Sequence, residues 1–152
     1  MKSTIYTTIG ASNHSGTARK EHDFYATFPE AIDRLFEVEK FPDTIWEPAC
    51  GMGHLSKRMI ELGKEVYSTD LINRGYGTGG VDFLKATGNP YGAVITNPPY
   101  KIALEFIEKA LDISGEGTKI AMFLKLTFLE GKRRKPFFQT NPPLKIHVFS
   151  SR

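Results

Sequence analysis

The sequence has little cysteine and no long hydrophobic run. Its 152 residues include a single cysteine, Cys50, which cannot form an internal disulfide, so a reducing, cytoplasmic environment is expected. No apolar stretch approaches the roughly 18 to 20 residues that a membrane-spanning helix needs. The segment MKSTIYTTIGASNHSG at the start lacks the apolar core of a signal peptide, which argues against secretion. The composition therefore predicts a cytoplasmic protein without a membrane partner.

The sequence also lacks a cluster of metal ligands and a strong charge of either sign. Its four histidines are scattered and form no group with the one cysteine, so no metal centre is predicted. The formal net charge of +3 permits a nucleic-acid partner without requiring one. With 40% hydrophobic and 24% charged residues, the composition is that of a globular protein, and the length suits one domain with a single core.

Short apolar segments alternate with amphipathic ones, which predicts an α/β domain with a largely parallel sheet. The predicted strands are TIWEPA, KEVYSTDL, YGAVITNPPY, TKIAMFLKLTFL and LKIHVFS. The predicted helices are FPEAIDRLFEVEKF, the segment after CGMG, and ALEFIEKALDI, while EGKRRKPFFQ is a basic helix or loop. Ligands of such sheets bind at the carboxyl ends of the strands. The CGMG turn, Asp70 and NPPY all follow predicted strands.

The CGMG turn and Asp70 predict a nucleotide-like ligand. Gly51 and Gly53 let the backbone approach a ligand, and the following helix offers unpaired N–H groups at its start. Asp70 ends the next strand, where a carboxylate can accept hydrogen bonds from both ribose hydroxyls. The third glycine of a dinucleotide fingerprint is absent, because Ser56 occupies its position. An adenosyl ligand without phosphates therefore fits better than a dinucleotide.

The segment VDFL can complete such a pocket. Asp82 can accept a hydrogen bond from the exocyclic amine of adenine, and Phe83 can pack on the purine face. The alternative is an exposed aspartate beside a core phenylalanine, and the sequence leaves both open. Trp46 is predicted in the core. Cys50 is predicted as a small packing residue, because the sequence offers it no catalytic partner.

The segment AVITNPPY is the most specific signal. Asn97 to Tyr100 can continue neither a strand nor a helix, because two prolines remove backbone donors and stiffen the turn. The Asn97 side chain and the Pro98 carbonyl are then two acceptors that can receive both hydrogens of one NH₂ group. Tyr100 supplies a ring on which a planar amide or nucleobase can stack, worth about 1 to 3 kcal/mol. The pattern predicts a grip on a planar nitrogen at the end of a buried strand.

In these motifs the chain resembles the S-adenosylmethionine-dependent amino-methyltransferases, specifically the phage- and prophage-type DNA N6-adenine methyltransferases. The matching stretches are DFYATFPEAIDRL, WEPACGMGHLS, STDL, VDFL, TNPPYKIALEFIEKAL, FLKLTFLEGKRR and HVFSSR. The resemblance implies a Rossmann-like sheet with helices on both faces. It also implies a methyltransferase domain at 22–152, after a mobile N-terminal arm at 1–21. The family continues beyond the last matching stretch, so we expect truncation at the C-terminus, with the last strand of the sheet in question.

The resemblance assigns a role to each matching position. It implies S-adenosyl-L-methionine as the cofactor, and the target base would be held by Asn97, Pro98, Pro99 and Tyr100. The cofactor would be held by Tyr25, Thr27, Glu47, Ala49, Gly51, Gly53, Asp70, Leu71, Asp82, Phe83 and Asn97. Where the family more usually has a proline, this chain has Phe28.

The implied activity is methyl transfer to the N6 amine of a flipped-out adenine in DNA. Candidate phosphate-binding residues are Lys101, Lys132, Arg133, Arg134 and Lys135, although adjacent charges also form solvated faces. The alternatives are methylation of a protein glutamine or an RNA guanine, a non-catalytic remnant that binds cofactor or nucleic acid, and a nicotinamide dehydrogenase. An uncovered edge strand can pair with another chain, so a monomer and an edge-paired homodimer both stay open.

Overall fold

The computed structural model describes residues 27–150, and its four strands form one parallel sheet. The strands are β1 (Thr44–Glu47), β2 (Glu65–Ser68), β3 (Ala93–Thr96) and β4 (Lys119–Met122). Their order across the sheet is β2-β1-β3-β4. Parallel strands need crossover connections. α-Helices connect β1 to β2 and β3 to β4, while a loop with one 3-10 helix connects β2 to β3. The predicted α/β class is confirmed.

The helices agree with the predicted amphipathic segments. They are α1 (Glu30–Val38), α2 (His54–Glu61), α3 (Ala103–Ile113) and α4 (Lys135–Thr140). Short 3-10 helices span Phe83–Lys85, Tyr100–Ile102 and Leu126–Leu129. Gly63 follows the end of α2 in the left-handed conformation, at φ 85°, and its N–H bonds to the carbonyl of Ile60. A glycine adopts this conformation at no steric cost, which explains where the helix ends.

The core lies on both faces of the sheet, because successive strand residues point to opposite sides. On one face, Ile45 of β1 and Ile95 of β3 pack with α1 and α2. On the other, Trp46 packs with Phe83 and with α3, and its indole N–H donates to Thr69 Oγ1 at 3.0 Å. All four residues of β3 are buried, as expected for an interior strand covered on both sides. The predicted core position of Trp46 and the predicted buried strand AVIT are confirmed.

The strand order places a crevice between β1 and β3. The chain passes from β1 to β2 on one side and then returns to place β3 on the other. Connections on the two sides of β1 therefore diverge at the carboxyl ends of β1 and β3. In open parallel sheets this divergence is where ligands bind.

The predicted last strand, LKIHVFS at 144–150, is wrong, because these residues join no sheet in the described part of the chain. Side chains hold the segment instead of a backbone ladder. Lys145 Nζ lies 2.6 Å and His147 Nε2 lies 3.2 Å from Glu39 Oε1, and the rings of Phe149 and Phe123 stack at 6.4 Å. The bond from Lys145 lowers the pKa of Glu39 to about 2. The expected N-terminal arm lies outside the described residues. Among residues 27–150, no helix has the length and apolarity to cross a membrane.

Replacing Ile95 with alanine should lower the free energy of unfolding by about 2 to 5 kcal/mol, because it removes buried methylenes from the middle of the sheet. Urea denaturation monitored by circular dichroism measures the change. Ile60→Ala is the matched control, since Ile60 is 49% exposed on α2 and its loss should cost less than about 1 kcal/mol. Equal losses in the two variants would contradict the core assignment.

Candidate active site

A cleft of about 260 Å³ lies where β1, β2 and β3 end. Most of the residues predicted from the sequence line it: Thr27, Glu47, Ala49, Asp70, Leu71, Asp82, Phe83, Asn97, Pro98, Pro99 and Lys101. Gly51, Gly53 and Tyr100 do not line it. Tyr25 lies outside the described residues. The fold thus gathers segments that are far apart in the sequence into one cavity.

Asp70 ties the glycine turn to the end of β2. The N–H of Gly51 donates to its Oδ2 at 2.8 Å, and the N–H of Ile72 donates to its Oδ1 at 2.8 Å. Each carboxylate oxygen has a second lone pair, so these bonds leave acceptor capacity for a ligand hydroxyl. Asp70 therefore stabilises the turn and also presents carboxylate oxygens to the cleft.

The glycine turn is covered by a tyrosine ring. A Cβ built on Gly53, which has φ 80°, would lie 2.4 Å from the ring of Tyr76. Any side chain at this position would collide with that ring. Tyr76 thus occupies the space against the start of α2, where the phosphates of a dinucleotide usually sit.

Glu47 is a buried carboxyl group in the wall of the cleft. It is 2% exposed, and the hydroxyl of Ser56 donates to its Oε2, while Ser56 Oγ and Ser68 Oγ lie 2.6 Å apart. Burial raises the pKa of Glu47 to about 8, and the nearby charge of Asp70 acts in the same direction. At neutral pH the carboxyl group is therefore largely protonated. A cationic ligand in the cleft would favour the ionised form.

Asn97, the first residue after β3, is fixed by a long-range hydrogen bond. Its Nδ2 donates to Thr27 Oγ1 at 2.6 Å, joining the start of the described chain to the end of the central strand. Pro98 is buried, and Pro99 precedes the 3-10 helix that begins at Tyr100. The ammonium group of Lys125 lies 4.8 Å from the centroid of the Tyr100 ring.

Asp82 and Phe83 combine the two roles left open by the sequence. Asp82 immediately precedes a 3-10 helix, and its Oδ1 accepts a hydrogen bond from the N–H of Leu84 at 3.1 Å. Phe83 is 2% exposed and packs against Trp46 and Phe106, with ring centroids 5.1 and 5.0 Å away. Both residues nevertheless line the cleft. The structure places them as local supports that also face the cavity.

The environment of Cys50 limits the reactivity of its thiol. Burial, together with the charges of Glu47 and Asp70, raises the pKa of Cys50 to about 12, which leaves a thiol that is a poor nucleophile.

The guanidinium group of Arg134 donates to the carbonyl oxygens of Thr127, Phe128 and Glu130. Arg134 therefore secures the turn before α4. The basic residues exposed around it are Lys132, Arg133 and Lys135.

The sequence interpretation missed several residues that the fold brings to the cleft. They are Pro48, Cys50, His54, Leu55, Ile72, Arg74, Val81, Leu84, Ile102 and Phe106. The sequence predicts only a packing role for Cys50, which also lines the cleft. His54 begins α2 and Arg74 lies four residues after Asp70, so their closeness to predicted ligand-binding residues was a usable signal. The others are apolar or backbone contacts that carry no sequence signal of their own.

Comparison with solved structures identifies the fold. The chain is similar to a proposed RNA methyltransferase from Pyrococcus horikoshii, with a TM-score of 0.53 and 18% identity over 74% of this chain and 63% of that one. It is also similar to the glycopeptide N-methyltransferase MtfA in complex with S-adenosyl-L-methionine, with a TM-score of 0.50 and 21% identity over 70% of this chain and 59% of that one. The chain has a methyltransferase fold. The expected Rossmann-like sheet with helices on both faces is confirmed.

These similarities concern the fold. The chain spans about six-tenths of the length of each of the two structures. No protein-family model matches the sequence, and no curated protein matches it significantly. The activity must therefore be argued from the cleft.

The pH dependence of stability should change when Glu47 is replaced by glutamine. The pKa of Glu47 is about 8 in the folded protein and near 4.5 in the unfolded chain, so the folded state retains a proton that the unfolded state releases. Stability from this group is fully present below pH 4.5 and is lost as the pH rises through about 8. The Tm of the wild-type protein should therefore fall relative to that of Glu47→Gln between pH 5 and 8, as measured by calorimetry. Parallel Tm curves for the two proteins would contradict this assignment.

Proposed function

We propose that this protein transfers a methyl group from S-adenosylmethionine to the N6 amine of a flipped-out adenine in DNA. The observation that carries the proposal is the position of Asn97-Pro98-Pro99-Tyr100. This segment follows the buried strand β3 and adjoins a cleft that also contains Glu47 and Asp70. A grip for a planar NH₂ group and acidic groups suited to a cationic nucleoside thus share one edge of a methyltransferase fold.

The chemistry of the cleft fits S-adenosylmethionine. Asp70 can accept from ribose hydroxyls, Asp82 can accept from the adenine amine, and the carboxyl group of Glu47 can face the cationic methionine portion. When bound, this cofactor supplies an electrophilic methyl group. Tyr76 covers the start of α2 at Gly53, which argues against the pyrophosphate of a nicotinamide dinucleotide.

The residues after β3 account for activation of the amine. The lone pair of an adenine N6 amine is delocalised into the ring, so the amine is a poor nucleophile. Hydrogen bonds from its two N–H groups to Asn97 Oδ1 and the Pro98 carbonyl draw the nitrogen toward a tetrahedral shape and restore its lone pair. Thr27 holds the Asn97 amide through the bond to Nδ2. Positioning and electrostatics therefore provide the catalysis.

No carboxylate base is needed in this scheme. The nitrogen would form a bond to the methyl carbon as the bond from that carbon to the sulfonium sulfur breaks, and the sulfur would leave as the neutral thioether of S-adenosylhomocysteine. The methylated nitrogen, now positively charged, would lose one of its protons to water. Duplex adenine must leave the base stack to reach the cleft, which costs a few kcal/mol. Stacking on Tyr100 offsets part of that free energy. Lys101, which lines the cleft, and the exposed Lys132, Arg133 and Lys135 can contact DNA phosphates.

The main alternative is another planar nitrogen, either a glutamine amide in protein or a guanine amine in RNA. The same two acceptors would serve both targets. A non-catalytic module with the same fold is a second alternative, and it would not transfer a methyl group. The acidic cleft beside an NPPY turn supports an enzyme over such a module, and the lysine-rich surroundings support a nucleic acid over a protein.

Replacing Asn97 with alanine should lower kcat by about 10²-fold or more, because one of the two acceptors is lost where charge develops. Tyr100→Ala should also lower methylation, by about 10- to 10²-fold, because about 1 to 3 kcal/mol of stacking is lost. Cofactor binding, measured by calorimetry, should survive in both variants. Tyr100→Phe keeps the ring and is the matched control, and it should retain most of the activity. Full activity in either alanine variant would defeat the mechanism.

The protein should methylate DNA and neither RNA nor protein. The test is to incubate it with radiolabelled S-adenosylmethionine and with DNA, RNA or protein in separate reactions, and to measure the label incorporated into each. Label should enter adenine-containing duplex DNA because base, phosphate and stacking contacts all suit it. Digestion of DNA from expressing cells with methylation-sensitive restriction enzymes checks the same point in vivo. Label found only in RNA or only in protein would contradict DNA as the substrate.

A further inference from the structure

An ammonium group lies over the ring of the proposed stacking residue. Lys125 Nζ is 4.8 Å from the centroid of the Tyr100 ring, which is the geometry of a cation–π contact. Lys125 is exposed and Tyr100 is half-buried. The sequence motifs gave no role to Lys125, because it lies 25 residues from Tyr100 along the chain.

The pairing of β3 with β4 brings these two residues together. Thr96 at the end of β3 is the partner of Met122 at the end of β4, and the N–H of Phe123 donates to the carbonyl of Thr96 at 2.9 Å. The two strands are parallel, so the loops that follow them begin side by side. Lys125 is the third residue after β4 and Tyr100 the fourth after β3. The contact therefore follows from strand register.

Lys125 lies over the Tyr100 ring, and further basic residues lie close to Tyr100 or Lys125 along the chain. Lys101 follows Tyr100 in the chain and lines the cleft. Lys125 begins a loop that leads through a 3-10 helix to the exposed Lys132 and Arg133. A neutral glutamine amide stacked on Tyr100 carries no negative charge that these ammonium groups could bind. A nucleotide carries an anionic phosphate close to its base, which the charge would favour.

We infer that Lys125 binds a backbone phosphate of the target nucleotide, and that this contact selects a nucleic acid over a protein amide at the Tyr100 ring. The inference rests on the proposed function and names a substrate contact for it. In the absence of substrate the ammonium group rests on the ring. A lysine has a flexible four-carbon stem, so the group can pass from the ring to a phosphate without movement of the backbone. The phosphate is the stronger partner because it carries a full negative charge.

Binding of a fluorescein-labelled, adenine-containing duplex tests this inference without requiring methyl transfer. Fluorescence anisotropy of the full chain is measured between about 50 and 200 mM salt, for the wild type, Lys125→Met and Lys125→Arg. Lys125→Met should weaken binding several-fold and reduce the slope of log Kd against log salt by about 1, because one phosphate contact is lost. Lys125→Arg keeps the charge and should restore both values.

Lys57→Met is the matched control. Lys57 is also exposed, and its ammonium group lies 4.9 Å from the centroid of the Tyr76 ring, so this variant loses the same charge and the same kind of contact. It should keep the wild-type salt slope. Kinetics add a second readout, since Lys125→Met should raise KM for DNA while kcat and the cofactor Kd stay unchanged.

The inference would be overturned by an unchanged salt slope in Lys125→Met, by an equal loss in Lys57→Met, or by a wild-type protein that binds no oligonucleotide. A fall in kcat with unchanged KM would also overturn it, because Lys125 would then act only through the Tyr100 ring. Failure of the proposed function looks different. A protein that binds DNA with the expected Lys125 dependence but transfers no methyl group to it would keep the phosphate contact and lose the proposed reaction.

Discussion

The site depends on one carboxylate that joins two strand ends. Asp70 accepts hydrogen bonds from the N–H groups of Gly51 and Ile72, so the turn after β1 and the loop after β2 are fixed to the same side chain. Both segments form walls of the cleft through Cys50 and Leu71. A backbone hydrogen bond from the N–H of Cys50 to the carbonyl of Thr69, at 2.9 Å, joins the same two segments, and Asp70 extends this connection to Gly51 and Ile72. Together these bonds fix two walls of the cleft relative to each other.

A second layer of the site consists of contacts that orient the functional groups. Thr27 holds the Asn97 amide, Ser56 holds the buried carboxyl group of Glu47, and Asp82 begins the 3-10 helix that contains Phe83. Each of these contacts is shielded or partly shielded from solvent. Hydrogen bonds in such surroundings are stronger than in water, and unpaired groups are more costly. The cleft is therefore preorganised, which suits a reaction that depends on positioning more than on acid–base chemistry.

Much of this arrangement could be predicted from the sequence, because its signals are local. Two prolines after a buried strand, a glycine turn before a helix and an aspartate after the next strand each have a physical meaning within a few residues. The contacts of Tyr76 and Lys125 could not be predicted, because they depend on how loops from different strands meet. The predicted strand at 144–150 failed for a related reason. Its residues alternate as in a strand, but Lys145 and His147 bind the side chain of Glu39, so the alternation reflects side-chain contacts and not a backbone ladder.

Because Tyr76 packs on Gly53, the residues tolerated at these two positions depend on each other. A side chain at position 53 would overlap the ring, and its backbone conformation, at φ 80°, already disfavours any residue except glycine. A smaller residue at position 76 would relieve the overlap but not the backbone strain, and it would uncover the start of α2. A smaller residue at position 76 would therefore leave the start of α2 open to an anionic ligand, while glycine would still be required at position 53.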